Sequence, residues 1–330
     1  MRITNKMIKN TYMSDMTRNL NNMQTLNKQL SSGKEISRPS DNPYKVARSM
    51  QLYTDINANK QYNENIKDTI NWLDTTDSAL NQITNIMQRV RELMVSAGNA
   101  SYGSDERNAI LDEVNERVAE ISQVLNTNFD GKYIFGGTKT ASKPIDAVES
   151  AITGNKSLVF LDKDGNSLDF DSTYVNDMYQ IDMLKGELNT EISQGVIMQY
   201  NVCATDLLLF KNNEGKSINA IELLSEITNN LNSPDEIDNA KITNENLKGI
   251  DDVITNLLKV RAEVGAKQNR MDAAETKNGD ETYNMTDILS KTEDIDFTEK
   301  TMEYAIAQTV YQASLQVSAQ ILPQTILDYI

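Results

Sequence analysis

The sequence predicts a mainly α fold with a β-rich insert: an elongated rod of long antiparallel helices, coiled-coil pairing of the N- and C-terminal helices, and a small β domain at the tip. Three observations lead there. Apolar residues recur at steps of three and four through residues 13–125 and 221–321. One segment carries a heptad row, Leu73, Leu80, Met87 and Met94, with Ile83, Val90 and Ala97 three residues behind its members. Between residues 126 and 205 the pattern changes to turn dipeptides and short runs of strand formers.

The first helix, within residues 1–32, has Met13, Met16, Leu20, Met23, Leu26 and Leu30 on one stripe. A stripe this narrow needs a partner helix. Gly33 supplies the left-handed residue that commonly ends a helix, and Pro39 disfavours helix at Arg38. Ser40, Asp41 and Asn42 are all good N-caps, and Pro43 suits the first turn of the next helix. The elbow of Gly33, Pro39, Asp41 and Pro43 is thus a stop followed by a restart.

The second helix covers about 43–97 and carries the heptads, and Gly98-Asn99 and Ser101–Ser104 end it. Ser104 or Asp105 caps a third, with Ile110, Val114, Val118, Ile121 and Leu125 on one face. NTNFDGKYIFGGTKT follows, with a D-G turn, the strand formers Tyr133, Ile134 and Phe135, and then Gly136-Gly137. Ser157–Leu161 and Ser167–Phe170 flank DKDGN and read as a hairpin, and Gly195–Val202 reads as a further strand. Helices resume near Ser217 (Ile221, Leu224, Ile227, Leu231) and after Ser233-Pro234 (Ile250, Ile254, Leu257, Val260, Val264, Met271). Gly265, inside the latter, suggests a close helix–helix approach. The last segment opens with Asp296 and Glu299, a capping-box variant. Its thin stripe is Met302, Ile306, Val310, Ala313, Val317 and Ile321. The expected divisions are a core helix and elbow (1–40), a rod (41–140), an outer β-rich insert (141–214), the returning rod (215–293) and a C-terminal core helix (294–330). The two terminal stripes are expected to pair with each other.

Composition removes several kinds of function. There is no histidine and one cysteine, Cys203. Imidazole bases, Ser-His and Cys-His nucleophiles and intramolecular disulfides are therefore absent. Cys203, between Val202 and Ala204, reads as a small buried hydrophobe. DKDGN departs from a calcium loop in its glycine position and in having Thr173 at the twelfth place, so it reads as a plain turn. No constellation of base, oxyanion donor and metal ligand is visible, and no cofactor or catalytic residue is expected. A net charge of -16 makes nucleic acid and anionic membrane poor partners. The N-terminus lacks the apolar run of a secretory signal, and no stretch is long and apolar enough to span a bilayer.

Against these elements, LSSGKEISRPSDNP (30–43), RAEVGAKQNRMD (261–272) and residues 294–330 resemble the terminal regions of bacterial flagellins and their relatives. NFDGKYIFGGTKT (128–140), holding Gly131, Tyr133, Phe135, Gly136 and Gly137, resembles the hook-associated protein 3 branch, the hook–filament junction proteins. Pro39, Pro43 and the C-terminal LDYI point the same way. The likeness covers roughly 1–140 and 215–330, and residues 141–214 match nothing in it.

The resemblance implies a non-enzymatic axial structural protein. It implies a ring of about eleven subunits between the adjacent hook-associated junction protein and flagellin. It further implies export without a cleaved signal peptide, and a flagellar export chaperone gripping the C-terminal helix around Met302–Ile326. On this reading the two terminal stripes are the assembly interface. They are expected to be largely disordered in the monomer, because they bury too little to offset their ordering entropy. Bulk flagellin is the alternative within the family. A free coiled-coil adhesin or scaffold, or an enzyme hidden in the insert, are alternatives outside it.

Overall fold

A computed structural model describes residues 5–36, 38–98, 104–150, 154–170, 174–212, 214–233 and 241–321. The chain divides into two compact units, residues 61–278 and residues 1–60 with 279–330. The helices are α1 (Asn5–Ser32), α2 (Pro43–Ala97), α3 (Ser104–Leu125), α4 (Val175–Leu184), α5 (Ala204–Leu208), α6 (Ala220–Asn232), α7 (Leu247–Glu293) and α8 (Phe297–Ile321). The short strands are β1 (Asn128–Phe129), β2 (Lys132–Tyr133), β3 (Ile145–Glu149), β4 (Lys156–Phe160), β5 (Asn189–Ser193), β6 (Val196–Gln199), β7 (Leu209–Lys211) and β8 (Ser217–Asn219). They pair in sequence order as four separate antiparallel hairpins.

In the unit of residues 61–278 the heptad logic holds. Leu73, Leu80, Met87, Met94, Ile83, Val90 and Ala97 of α2 are all buried, and the row extends back to Ile66. On α7, Ile250, Leu257, Val264 and Met271 are buried at seven-residue spacing. Ion pairs and hydrogen bonds fix the antiparallel register: Arg91 with Asp251 (2.6 Å), Arg261 with Asp77 (2.7 Å) and Gln268 with Asp74 (2.7 Å). Val114, Val118, Ile121 and Leu125 of α3, and Leu224, Ile227 and Leu231 of α6, join the same core. An apolar row every seven residues keeps one face of a helix turned to its neighbours, and here both rows are buried in that one core.

Four expectations change. β4 ladders mainly with β3, not with Ser167–Phe170 across DKDGN. Burial decides this, since the β3–β4 ladder brings Ile145, Leu158 and Phe160 into the core. Across the turn the pairing is short: a Leu161–Ser167 bridge, with the Leu168 N–H on the Phe160 carbonyl and the Asp162 N–H on the Asn166 carbonyl, each at 2.8 Å. Asp162 Oδ1 accepts from the backbone N–H groups of Asp164 and Asn166, at 2.8 Å each, which holds the carboxyl below its usual range. Second, the strand after the D-G turn stops at Tyr133, and Ile134 and Phe135 are buried turn residues. Third, the insert also contains the helices α4 and α5, whose short apolar runs lack a readable period. Fourth, Gly265 has open space where a side chain would stand. The close approaches lie elsewhere: Gly98 against Thr243, and Gly249 against Leu223.

Cys203 is buried and free. Burial, helped by Asp206 and Glu187, pushes its thiol up to about 12. Among the described residues no helix is long and apolar enough to cross a membrane.

Candidate assembly interface

In the unit of residues 1–60 and 279–330, α1 packs against α8. The pairing is antiparallel: the Tyr12 hydroxyl donates to the Ser314 carbonyl, and Asn19 Nδ2 donates to the Ala307 carbonyl at 3.3 Å. The inward row of α1 is Tyr12, Met16, Asn19, Met23, Leu26 and Leu30, with Leu26 only 5% exposed. Four of the six stripe residues are therefore turned inward, while Met13 and Leu20 are exposed.

The C-terminal stripe behaves differently. The inward row of α8 is Glu303, Ala307, Tyr311, Ser314 and Ser318, one residue on from Met302, Ile306, Val310, Ala313 and Val317. One residue is about 100° around a helix. Met302 and Ile306 are 58% and 59% exposed, and Val310, Ala313 and Val317 are exposed with them. The backbone of Ile321 ends α8, but its side chain lies outside the described residues, as do residues 322–330 with LDYI. The physical reason lies in the inward residues. Ala307 and the serines let the helices approach closely enough for side chains of α1 to reach backbone carbonyls of α8. Among the described residues, the apolar stripe is left exposed, turned away from α1.

The elbow forms as its residue types require. Gly33 has φ +72° and its N–H bonds the Gln29 carbonyl at 2.8 Å, ending α1. Arg38–Asp41 is a turn with Pro39 at its second position, closed by the Asp41 N–H on the Arg38 carbonyl at 3.0 Å. Asp41 Oδ2 accepts from the Arg38 N–H, and Asn42 is the residue that caps α2, Oδ1 accepting from the Lys45 N–H at 3.2 Å. Asp296 caps α8 through the N–H groups of Thr298 (2.8 Å) and Glu299 (3.1 Å).

The motif residues of the other unit run from an exposed turn at Gly131 into the interior. Asp130 and Gly131, with φ of 50° and 76°, make the two-residue turn of β1–β2. Tyr133 is half-buried, whereas Phe135, Gly136 and Gly137 are buried. A side chain at Gly137 would meet the carbonyls of Met183 and Leu184 at 2.5 Å. The Phe135 carbonyl accepts from the Ala204 N–H at 2.9 Å. The Lys139 ammonium, pushed down by burial, donates to the carbonyls of Leu161 (2.6 Å) and Lys143 (3.2 Å). The buried part of the block therefore ties α4, α5 and the residue after β4 together. Sequence reasoning missed Lys139, Lys34, Tyr53 and Glu293. Their contacts join residues far apart in the chain, and no local pattern marks them.

One unit is a pair of terminal helices with an exposed apolar stripe, and the other is a seamed helical core. The family model of the bacterial flagellin N-terminal helical region matches residues 3–140, and that of the C-terminal helical region matches residues 247–330. The chain belongs to the bacterial flagellin family and is a structural, axial protein of the flagellum. A flagellin of Clostridium tyrobutyricum is 24% identical over 98% of this chain and 99% of its own length. Flagellar hook-associated protein 3 of Salmonella typhimurium is 23% identical over 95% of each. The crystal structure of flagellar hook associated protein-3 from Legionella pneumophila shares the fold, with a TM-score of 0.57 and 15% identity, over 73% of this chain and 98% of that one.

Proposed function

We propose that this chain is the junction subunit between the hook-associated layer and the flagellin filament, and that it assembles through its terminal helices. The observation that carries the assembly reading is the exposed stripe of Met302, Ile306, Val310 and Val317 on α8. Burying such side chains is worth roughly 1.5–3 kcal/mol each, and the lone chain leaves that unrealised. Met13 and Leu20 of α1 would contribute to the same contacts. The GKYIFGGT block, Pro39 and Pro43 favour a junction protein over bulk flagellin, as does the likeness in fold to a hook-associated protein 3.

On this reading the protein is exported uncleaved to the extracellular flagellum and is not an enzyme. About eleven copies form one ring with flagellin on one side and the adjacent hook-associated protein on the other. An export chaperone holds the C-terminal helix around 302–326 and covers the stripe before assembly. The deciding measurement is mass spectrometry of purified hook–filament material. The expected result is an intact N-terminus and about one ring of copies against a vast excess of flagellin. A deletion strain is expected to shed flagellin into the medium without retaining filaments. Copy numbers comparable to the main filament protein would make the chain a flagellin instead.

A further inference from the structure

The helix breaks at 33–36 and 294–296 lie some 260 residues apart in sequence, yet they are bonded to each other. Lys34 and Asp294 form an antiparallel bridge. The Glu35 N–H donates to the Glu293 carbonyl at 2.6 Å, and the Ile295 N–H donates to the Gly33 carbonyl at 3.1 Å. A three-residue polar cluster sits on this bridge. Lys34 Nζ donates to the Tyr53 hydroxyl at 2.6 Å and to Glu293 Oε1 at 3.1 Å. The Tyr53 hydroxyl donates in turn to Glu293 Oε2 at 2.8 Å. The Lys34 ammonium also lies 5.1 Å from the centre of the Tyr53 ring. The Glu293 side chain is only 14% exposed, so solvent screens this pair less than an ordinary surface ion pair. The hydrogen bonds to Tyr53 and then Glu293 hold Lys34 above its usual range.

We propose that Lys34, Tyr53 and Glu293 act as a latch that fastens the two helix breaks into a single joint. Each break alone is a short polar segment with few internal bonds. Two backbone hydrogen bonds between exposed segments open readily unless something holds them. Tyr53 comes from α2, Glu293 from the last turn of α7 and Lys34 from the N-terminal elbow. The cluster therefore ties both chain passages to the same point, and the α1–α8 pair leaves that point as one body. These are positioning residues: they hold the two breaks against each other. The inference concerns the lone chain and does not depend on which flagellar layer it occupies.

The test is hydrogen exchange on the full-length chain, read at the amides of Glu35 and Ile295, with the Val46 amide inside α2 as reference. Lys34→Met is expected to accelerate both joint amides about tenfold, equivalent to 1.4 kcal/mol of opening free energy, and to leave Val46 unchanged. Tyr53→Phe keeps the ring and removes the bridging hydroxyl, so both amides should accelerate by a smaller factor. The exchanged pair Lys34→Glu with Glu293→Lys should return both towards wild type. Acceleration confined to Glu35, beside the substitution, would overturn the proposal. So would a Tyr53→Phe variant that changes neither amide, because Tyr53 lies outside both breaks.

Discussion

The two units of this chain spend their apolar residues in opposite ways. Residues 61–278 bury theirs in one continuous core, from Ile66 of α2 through Phe135 to Met271 of α7. Residues 1–60 and 279–330 bury few: Leu26, Ile56, Leu289 and Ala307 are the buried apolar side chains among those described there. The same unit exposes Met13, Leu20, Met50, Phe297, Met302 and Ile306. On the proposed function, stability and assembly fall to different stretches. One region packs on its own seams, whereas the other leaves apolar side chains exposed and is held in part by polar contacts such as the Lys34–Tyr53–Glu293 cluster.

The largest effect should come from opening the core. Phe135 is fully buried, and Phe135→Ala is expected to cost about 3–5 kcal/mol, read by urea denaturation of the monomer. A loss under 1 kcal/mol would mean that the motif block is not part of that core.

A pH-dependent effect, small near pH 9 and growing above it, belongs to Cys203. Its folded thiol is pushed up to about 12 from an ordinary 9.0. Above pH 9 the unfolded chain gives up this proton while the folded one keeps it. Stability should therefore fall as pH rises from 9 towards 12, by about 1.4 kcal/mol per unit from this group. Cys203→Ala should remove that contribution, seen as a shallower pH dependence than wild type in paired denaturation curves. Equal slopes would show that the thiol is more accessible than its burial implies.

The smallest effect on the monomer is expected where the assembly effect is largest. Replacing Ile306 and Val310 with serine touches only exposed side chains, so monomer stability should shift by about 0.5 kcal/mol or less. The same double variant should fail to retain filaments in a motility and shedding assay. Normal motility would break the division of labour between the units.

Much of this organisation is legible in the chain itself. The seven-residue rows of α2 and α7 read directly, because a helix repeats its facing surface at close to that period. Gly33, Pro39, Asp41 and Pro43 mark the elbow because glycine tolerates the left-handed turn that ends a helix, proline fixes φ, and an Asp side chain suits turns and caps. Less was legible in the insert. α4 and α5 are too short for a hydrophobic period to emerge, and β3 was chosen over Ser167–Phe170 as the partner of β4 by burial of Ile145, Leu158 and Phe160. The terminal pair was half legible. Its antiparallel pairing follows from two thin stripes of similar length, but the turn of α8 does not, since a stripe of Met, Ile and Val reads as the buried face in any helix taken alone.

By itself, then, the sequence determined where helices start, stop and carry seams, and that no histidine or thiol-pair chemistry is available. These are local properties of backbone preference, side-chain period and composition. Tertiary structure alone decided which face of α8 meets α1, that residues 134–137 of the GKYIFGGT block are buried, and that Lys34, Tyr53 and Glu293 meet. Those outcomes depend on how closely two surfaces approach and which distant groups then come within hydrogen-bonding distance, and no single segment encodes that.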